Sequence, residues 1–164
     1  RILPGNEKKY FRPPGSVPPG LFNVLCLRCG SCIKACPTGI LNHRIDSGDI
    51  KEWMIPEIHF DKGYCLENCN LCSRVCSSGA ITLFSPDAKC RLKIGLAEVN
   101  LNNCLLTKNS ECDHCKKACP YDAISIEAEK GTLRMSPVVY PEKCVGCGAC
   151  AVICPAESIL MIPQ

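Results

Sequence analysis

The chain has 164 residues, of which seventeen are cysteine and only 5% aromatic, with a single tryptophan, Trp53. That length suits one or two compact domains, and so few aromatic side chains exclude a core of the usual aromatic kind. The net charge of +3 comes wholly from residues 1–14 (Arg1, Lys8, Lys9 and Arg12 against Glu7); fifteen basic and fifteen acidic residues remain beyond, so no nucleic acid is expected as a partner.

No stretch approaches the ~20 apolar residues that span a bilayer, so no membrane span is expected within these residues. The chain starts at Arg1 rather than methionine, and the expectation is that a segment upstream has been removed. Residues 1–20 include Arg12-Pro13-Pro14-Gly15 and Val17-Pro18-Pro19-Gly20, a run that sustains neither helix nor ladder. They read as a Pro/Gly-rich N-terminal arm, a linker or tether, with residues 21–164 forming the folded region.

In that region the cysteines fall into four sets: Cys26, Cys29, Cys32, Cys36; Cys65, Cys69, Cys72, Cys76; Cys104, Cys112, Cys115, Cys119; and Cys144, Cys147, Cys150, Cys154. The first members are 39, 39 and 40 residues apart, which marks an internal repeat. An apolar residue stands five places before each set (Leu21, Phe60, Val99, Val139) and five after it (Leu41, Ile81, Ile124, Ile159), positioned to pack over whatever the cysteines hold. Strand-like pieces separate the sets at 55–60, 80–84, 93–99, 123–127 and 133–140, with turns at Ser47-Gly48-Asp49 and Lys130-Gly131-Thr132. The unit is strand, cysteine loop, short helix, strand. The first copy departs from it, because Pro19 to Leu25 looks helical or irregular.

The fourth set, C-x2-C-x2-C-x3-C-P, has the spacing of a bacterial [4Fe-4S] site, in which the fourth cysteine serves a neighbouring cluster. Gly146 and Gly148 there offer backbone N–H groups for the cluster sulfurs. A disulfide scaffold predicts scattered spacing, whereas every set ends C-x2-C-x3-C. Structural zinc draws its ligands in pairs from separated knuckles, and here three ligands crowd one loop, with Pro37, Pro120 and Pro155 following three of the fourth cysteines. All sixteen cysteines are therefore assigned as metal and cofactor ligands to four [4Fe-4S] clusters. Two sets are irregular: Cys65-x3-Cys69, followed by Ser77 instead of proline, and Cys104-x7-Cys112.

The predicted fold is α+β, two bacterial ferredoxin-like 2[4Fe-4S] modules with short antiparallel strands and short helices, tandem or nested, after the N-terminal arm. Because clusters replace an aromatic core, folding is expected to depend on them. Cys90 is left over as a free, inert thiol. His43 and His59 read as surface or hydrogen-bonding residues, as does His114, which is also placed to tune a cluster from between Cys112 and Cys115. Trp53 and Met54 lie in a loop suited to capping a cluster or meeting a partner. Lys34, Lys116 and Lys117, inside cysteine loops, are candidates for raising potentials or docking an acidic partner. No nucleotide or metalloprotease motif is present, and no catalytic residue is predicted.

From Arg12 to Pro163 the chain resembles the ferredoxin-type proteins of the periplasmic nitrate-reductase and methylamine-utilisation systems, the MauM/NapG group. The resemblance rests on Arg12-Pro13-Pro14-Gly15 followed by residues 25–37, on Gly95-Leu96-Ala97 leading to Asn103-Cys104-Leu105, and on Cys112-Asp113-His114-Cys115 after the long gap. It implies an electron carrier rather than an enzyme, periplasmic or on the outer face of the cytoplasmic membrane. It also implies redox protein partners, a membrane-bound quinol-linked subunit and a reductase or cytochrome. The alternatives are a cytoplasmic location, and an iron–sulfur subunit or fragment of a multi-subunit oxidoreductase whose catalytic centre lies on another chain. A sensing module is a third. Similarity to the four-cluster subunits of molybdenum reductases favours the nested arrangement of sets.

Overall fold

The computed structural model describes residues 10–45, 48–61, 63–108, 110–128 and 134–164. Each cysteine loop runs into a helix of one turn or slightly more: α2 (Ser31–Ala35), α3 (Leu71–Arg74), α4 (His114–Ala118) and α5 (Ala149–Ile153). The second residue of each helix is the third cysteine of its set. Three of these helices stop at the fourth cysteine, because the residue before a proline is pushed out of the helical region. Cys36, Cys119 and Cys154 are accordingly extended, with ψ of 112°, 108° and 111°. Where Ser77 replaces proline, α3 ends one residue earlier, at Val75. Three residues past each fourth cysteine the backbone turns left-handed, at Gly39, Gly79, Asp122 and Glu157, so the repeat extends to the backbone path.

Among the described residues the strands make three two-stranded antiparallel pairs. β1 (Leu41–His43) pairs with β2 (Pro56–Ile58), β4 (Ile124–Ala128) with β5 (Met135–Val139), and β3 (Gly95–Val99) with β6 (Ile159–Pro163). A single bridge, Ser16 to Ile81, closes the first half of the chain as the β3–β6 ladder closes the second. Each half is thus a complete module holding two adjacent cysteine sets. Of the two arrangements expected, this pairing follows the tandem one rather than the nested one, because the ladders join the ends of each half and not the ends of the chain. The expected strands at 55–60 and 93–99 are present in shortened form, that at 123–127 is shifted by one residue, and that at 133–140, whose residue 133 lies outside the described residues, is seen over 135–139, while 80–84 is reduced to that one bridge. The turn at residues 130–132 lies outside the described residues, as does Ser47.

The described part of the arm is not a tether. Pro13 and Pro14 are buried, Ile58 N–H donates to the Phe11 carbonyl (2.8 Å), Val17 N–H to Ala80 (3.0 Å), and Thr82 N–H to Gly15 (2.9 Å). The boundary at residue 20 also falls inside a helix, α1 (Pro19–Leu25), which begins at proline because a first-turn residue needs no N–H partner. Helical phase turns Phe22 fully inward and leaves Leu21 and Val24 in solvent, so Leu21 does not pack as its place in the repeat predicts. Phe22 joins Ile40, Leu41, Ile55, Ile58 and Ile81 in the first core.

The modules are packed together. Val145, Cys147 and Ala149 of the second lie in the first module's buried cluster, and Ile94 N–H donates to the Val145 carbonyl (2.8 Å). Cys65 N–H donates to the Cys147 carbonyl at 2.9 Å, a direct main-chain link between cysteine loops of different modules.

Candidate metal centres

Four cavities, of about 410, 370, 300 and 350 Å³ including their openings, are each lined by four cysteines. The first has Cys26, Cys29, Cys32 and Cys76; the second Cys36, Cys65, Cys69 and Cys72. The third has Cys119, Cys144, Cys147 and Cys150; the fourth Cys104, Cys112, Cys115 and Cys154. All sixteen sequence-predicted ligands are brought into these quartets, three from one set and the fourth from the other set of the module. Ile81, Leu41, Ile124 and Ile159, each five places past a fourth cysteine, line the same cavity as that cysteine. Cys90 is exposed and lines none of the four.

A single zinc ion at ~2.3 Å from each sulfur needs its thiolates nearly touching. Among the described residues no three Cys, His, Asp or Glu side chains converge closely enough to grip one ion. Quartets of soft thiols spread around roomy, largely apolar pockets instead fit a multi-iron core.

The cysteines differ in polarity by position. Backbone N–H groups of Ile81, Ala123 and Ser158 donate to the Sγ of Cys76, Cys119 and Cys154, each at 3.3 Å. The left-handed turn after the fourth cysteine aims these donors. Burial works against ionisation of Cys36 and Cys154, yet the hydroxyls of Thr38 and Ser158 and neighbouring N–H groups outweigh it and hold both thiols below their ordinary pKa. The thiols on the helices go the other way: burial pushes Cys32 up to about 11, and Cys72 and Cys150 up to about 12. Binding iron therefore displaces protons from these thiols. Gly146 and Gly148, expected to offer N–H donors, both line the third cavity and also serve the packing. They let the loop lie directly on Gly95 and on the Phe60 ring, where a side chain at either would collide.

Each cavity has its own surroundings. At the first, Arg28 stands in the left-handed region (φ 55°), held there by hydrogen bonds to the carbonyls of Trp53 (2.9 Å) and Lys51 (2.8 Å). Cys29 is exposed, beside exposed Leu27, and Trp53 is half exposed. At the fourth, His114 Nδ1 lies 3.4 Å from Cys112 Sγ, so His114 does stand against a predicted ligand. His43 contacts the Met54 carbonyl, and both residues line the first cavity, whereas His59 contacts the Glu57 carboxylate and lines none of the four. Lys34, Lys116 and Lys117 are exposed and line none of the four cavities; Lys89, which lines the second, escaped the sequence reading. The long Cys104–Cys112 connection is tied back by Thr107, whose hydroxyl donates to the carbonyls of Leu101 (2.5 Å) and Cys104 (2.8 Å).

The family described as the 4Fe-4S dicluster domain matches this chain twice, over residues 25–80 and 108–158. The chain is 33% identical to the methylamine utilization ferredoxin-type protein MauM of Methylophilus methylotrophus, over 92% of this chain and 69% of the relative. It is 33% identical to the ferredoxin-type protein NapG of Escherichia coli K12, over 90% and 67%. This chain belongs to the ferredoxin-type proteins of the MauM and NapG kind. As a ferredoxin-type protein it is an iron–sulfur electron carrier, and its cofactors are 4Fe-4S clusters. A third relative, NapF of Haemophilus influenzae, is 34% identical over 97% of this chain and 84% of its own length. The two dicluster matches coincide with the two tandem modules; the second begins after Cys104, on the far side of the inserted connection. No helix among the described residues of this ferredoxin-type chain is long and apolar enough to cross a membrane.

Proposed function

We propose that the chain is a relay of four 4Fe-4S centres, one held by each cysteine quartet, in the spatial order first, second, third, fourth. The observation that carries this is the contact between successive quartets. The first and second are joined by the crossing of Cys36 and Cys76, the third and fourth by that of Cys119 and Cys154, and between the second and third Cys65 N–H donates to the Cys147 carbonyl (2.9 Å). Bound clusters supply reversible one-electron chemistry. The chain's own residues ligate, exclude water with Leu41, Ile81, Ile124 and Ile159, and donate N–H groups to the fourth sulfurs. Fixed spacing within each module follows from the crossing of Cys36, Cys76, Cys119 and Cys154.

The two ends of the row differ, which suits two different partners. The first centre opens through exposed Cys29, with exposed Leu27 in the same cavity wall and half-exposed Trp53 tied to it through Arg28; near the fourth stand the exposed Lys116 and Lys117. The reading extends to a membrane quinol-linked donor and a reductase or cytochrome acceptor on the periplasmic side, as similarity to the MauM and NapG proteins suggests. The exposed apolar surround also favours a second reading, an iron–sulfur subunit seated on a catalytic chain; copurification of molybdenum, flavin or another polypeptide distinguishes it.

Anaerobically prepared protein is expected to carry about sixteen iron atoms and to show four one-electron steps in an EPR-monitored redox titration. A colourless protein with four zinc ions sinks the reading. The crossing has its own test in iron content. Cys154→Ala and Cys104→Ala each leave about twelve irons, and the double variant also leaves about twelve, since both empty one centre. Combining Cys154→Ala with Cys144→Ala instead leaves about eight. The reverse pattern means that the fourth cysteine stays with its own set.

A further inference from the structure

Lys89 sits in the basic, polar run Asp87-Ala88-Lys89-Cys90-Arg91, within the 3-10 turn Pro86–Arg91 that leads from the first module to the second. A lysine in such a run normally lays its stem on the surface and keeps its ammonium in water. Here the whole side chain is inside, with 1% of its surface accessible. Its Nζ donates to the Leu66 carbonyl and, at 2.9 Å, to the Cys69 carbonyl. Both carbonyls belong to the loop Cys65-x3-Cys69, whose extra residue lengthens the path between the first two cysteines. The ammonium closes that longer loop from within.

Carbonyls satisfy the hydrogen-bonding needs of an ammonium but not its charge, and a buried charge requires a counter-charge. Among the described residues the carboxylates in ion pairs hold Arg44, His59 and Lys117, and none reaches Lys89. What Lys89 faces is the second cavity, whose wall it shares with Cys36, Cys65, Cys69 and Cys72. Its natural counter-charge is therefore the thiolate quartet and the core it holds. Among the described residues none of the other three cysteine-lined cavities has a buried lysine in its wall. Lys93 offers the same kind of clamp to the third, donating to the carbonyls of Pro141, Glu142 and Cys144, but it is exposed, so water screens its charge.

We propose that the buried Lys89 ammonium raises the reduction potential of the second centre above those of its neighbours, making it the place where an electron rests in the relay. The inference builds on the four-centre reading. Its basis is charge: reduction adds a negative charge at the cavity, and a fixed cation in a poorly screened position favours the more negative state. The effect belongs to the ammonium rather than to the hydrogen bonds it makes.

The test uses the full-length holoprotein and two variants. Lys89→Gln keeps N–H donors for the loop carbonyls and removes the charge; Lys89→Arg keeps the charge. Four one-electron steps in the unmodified protein establish the underlying reading, and their absence rejects that reading rather than this one. With four steps present, Lys89→Gln is expected to disfavour reduction of one centre about tenfold, 59 mV downward, while the other three hold still. Lys89→Arg is expected to move that step by less than half as much. If no step moves in Lys89→Gln, or if Lys89→Arg moves it equally, the proposal is overturned. Should Lys89→Gln lose about four irons while Lys89→Arg stays loaded, the site's need for the charge is upheld; loss from both overturns it.

Discussion

Stripped of iron by a chelator, the protein is expected to lose its cooperative thermal transition altogether. Every local element is too small to stand alone. The helices run four to seven residues, against the ~12–15 at which an isolated helix becomes even marginal. The sheets are pairs of strands of three to five residues, a size without independent stability. Packing does not rescue them, because among the described residues seven of the 22 buried apolar residues are cysteines (Cys65, Cys72, Cys104, Cys115, Cys144, Cys147 and Cys150) and Leu41, Ile81, Ile124 and Ile159 pack around the cavities those cysteines line. Without a shared core to bind, these side chains line cavities instead of filling them. Since net stability is only ~5–15 kcal/mol even in ordinary domains, losing the centre of both modules leaves nothing to hold the rest. Calorimetry and near-UV circular dichroism of the metal-free chain check this directly. A retained cooperative transition refutes it.

Gly146→Ala is expected to be the most damaging single substitution outside the cysteines. Gly146 has φ +74°, and a Cβ there would stand 2.5 Å from the carbonyl carbon and oxygen of Gly95. Those are backbone atoms at the start of β3, which Ile94 and the β6 ladder hold in place, so they cannot step aside. The left-handed conformation costs roughly 1–2 kcal/mol for an alanine and the overlap roughly 1–3 more. Gly39→Ala separates the two contributions. It has φ +65° but open space around it, so only the conformational cost applies, about 1–2 kcal/mol. Anaerobic denaturation midpoints for both variants, with iron content alongside, give the comparison. Equal destabilisation by the two shows that the close approach of the loops is not what Gly146 serves.

The chemistry was legible in the sequence because ligand spacing is a local property. A thiol three or four residues from the next is placed by one turn of backbone, and the apolar residues five places on follow the same path. Leu41, Ile81, Ile124 and Ile159 therefore fall where the repeat puts them. The pairing of the sets was not legible, since four copies at nearly equal spacing carry no record of which neighbours share a ladder. Ser16 meeting Ile81 decides it, and neither residue advertises that. Leu21 failed because the first copy exchanges a strand for α1, and helical phase substitutes Phe22. Lys89 was hidden for a further reason: its burial is set by carbonyls twenty residues earlier, in a loop whose extra residue looked like a mere irregularity.

The bond from Cys65 N–H to the Cys147 carbonyl joins cysteine loops of the two modules directly, and it consists of main-chain atoms only. Side-chain substitution cannot strengthen or weaken it, apart from a proline at residue 65, which also removes a ligand. Evolution can thus reshape either surface of this protein for new partners while the wiring at its middle stays constant. Where the rate across that junction must be adjusted, the adjustable quantity is the energy difference between its two sides.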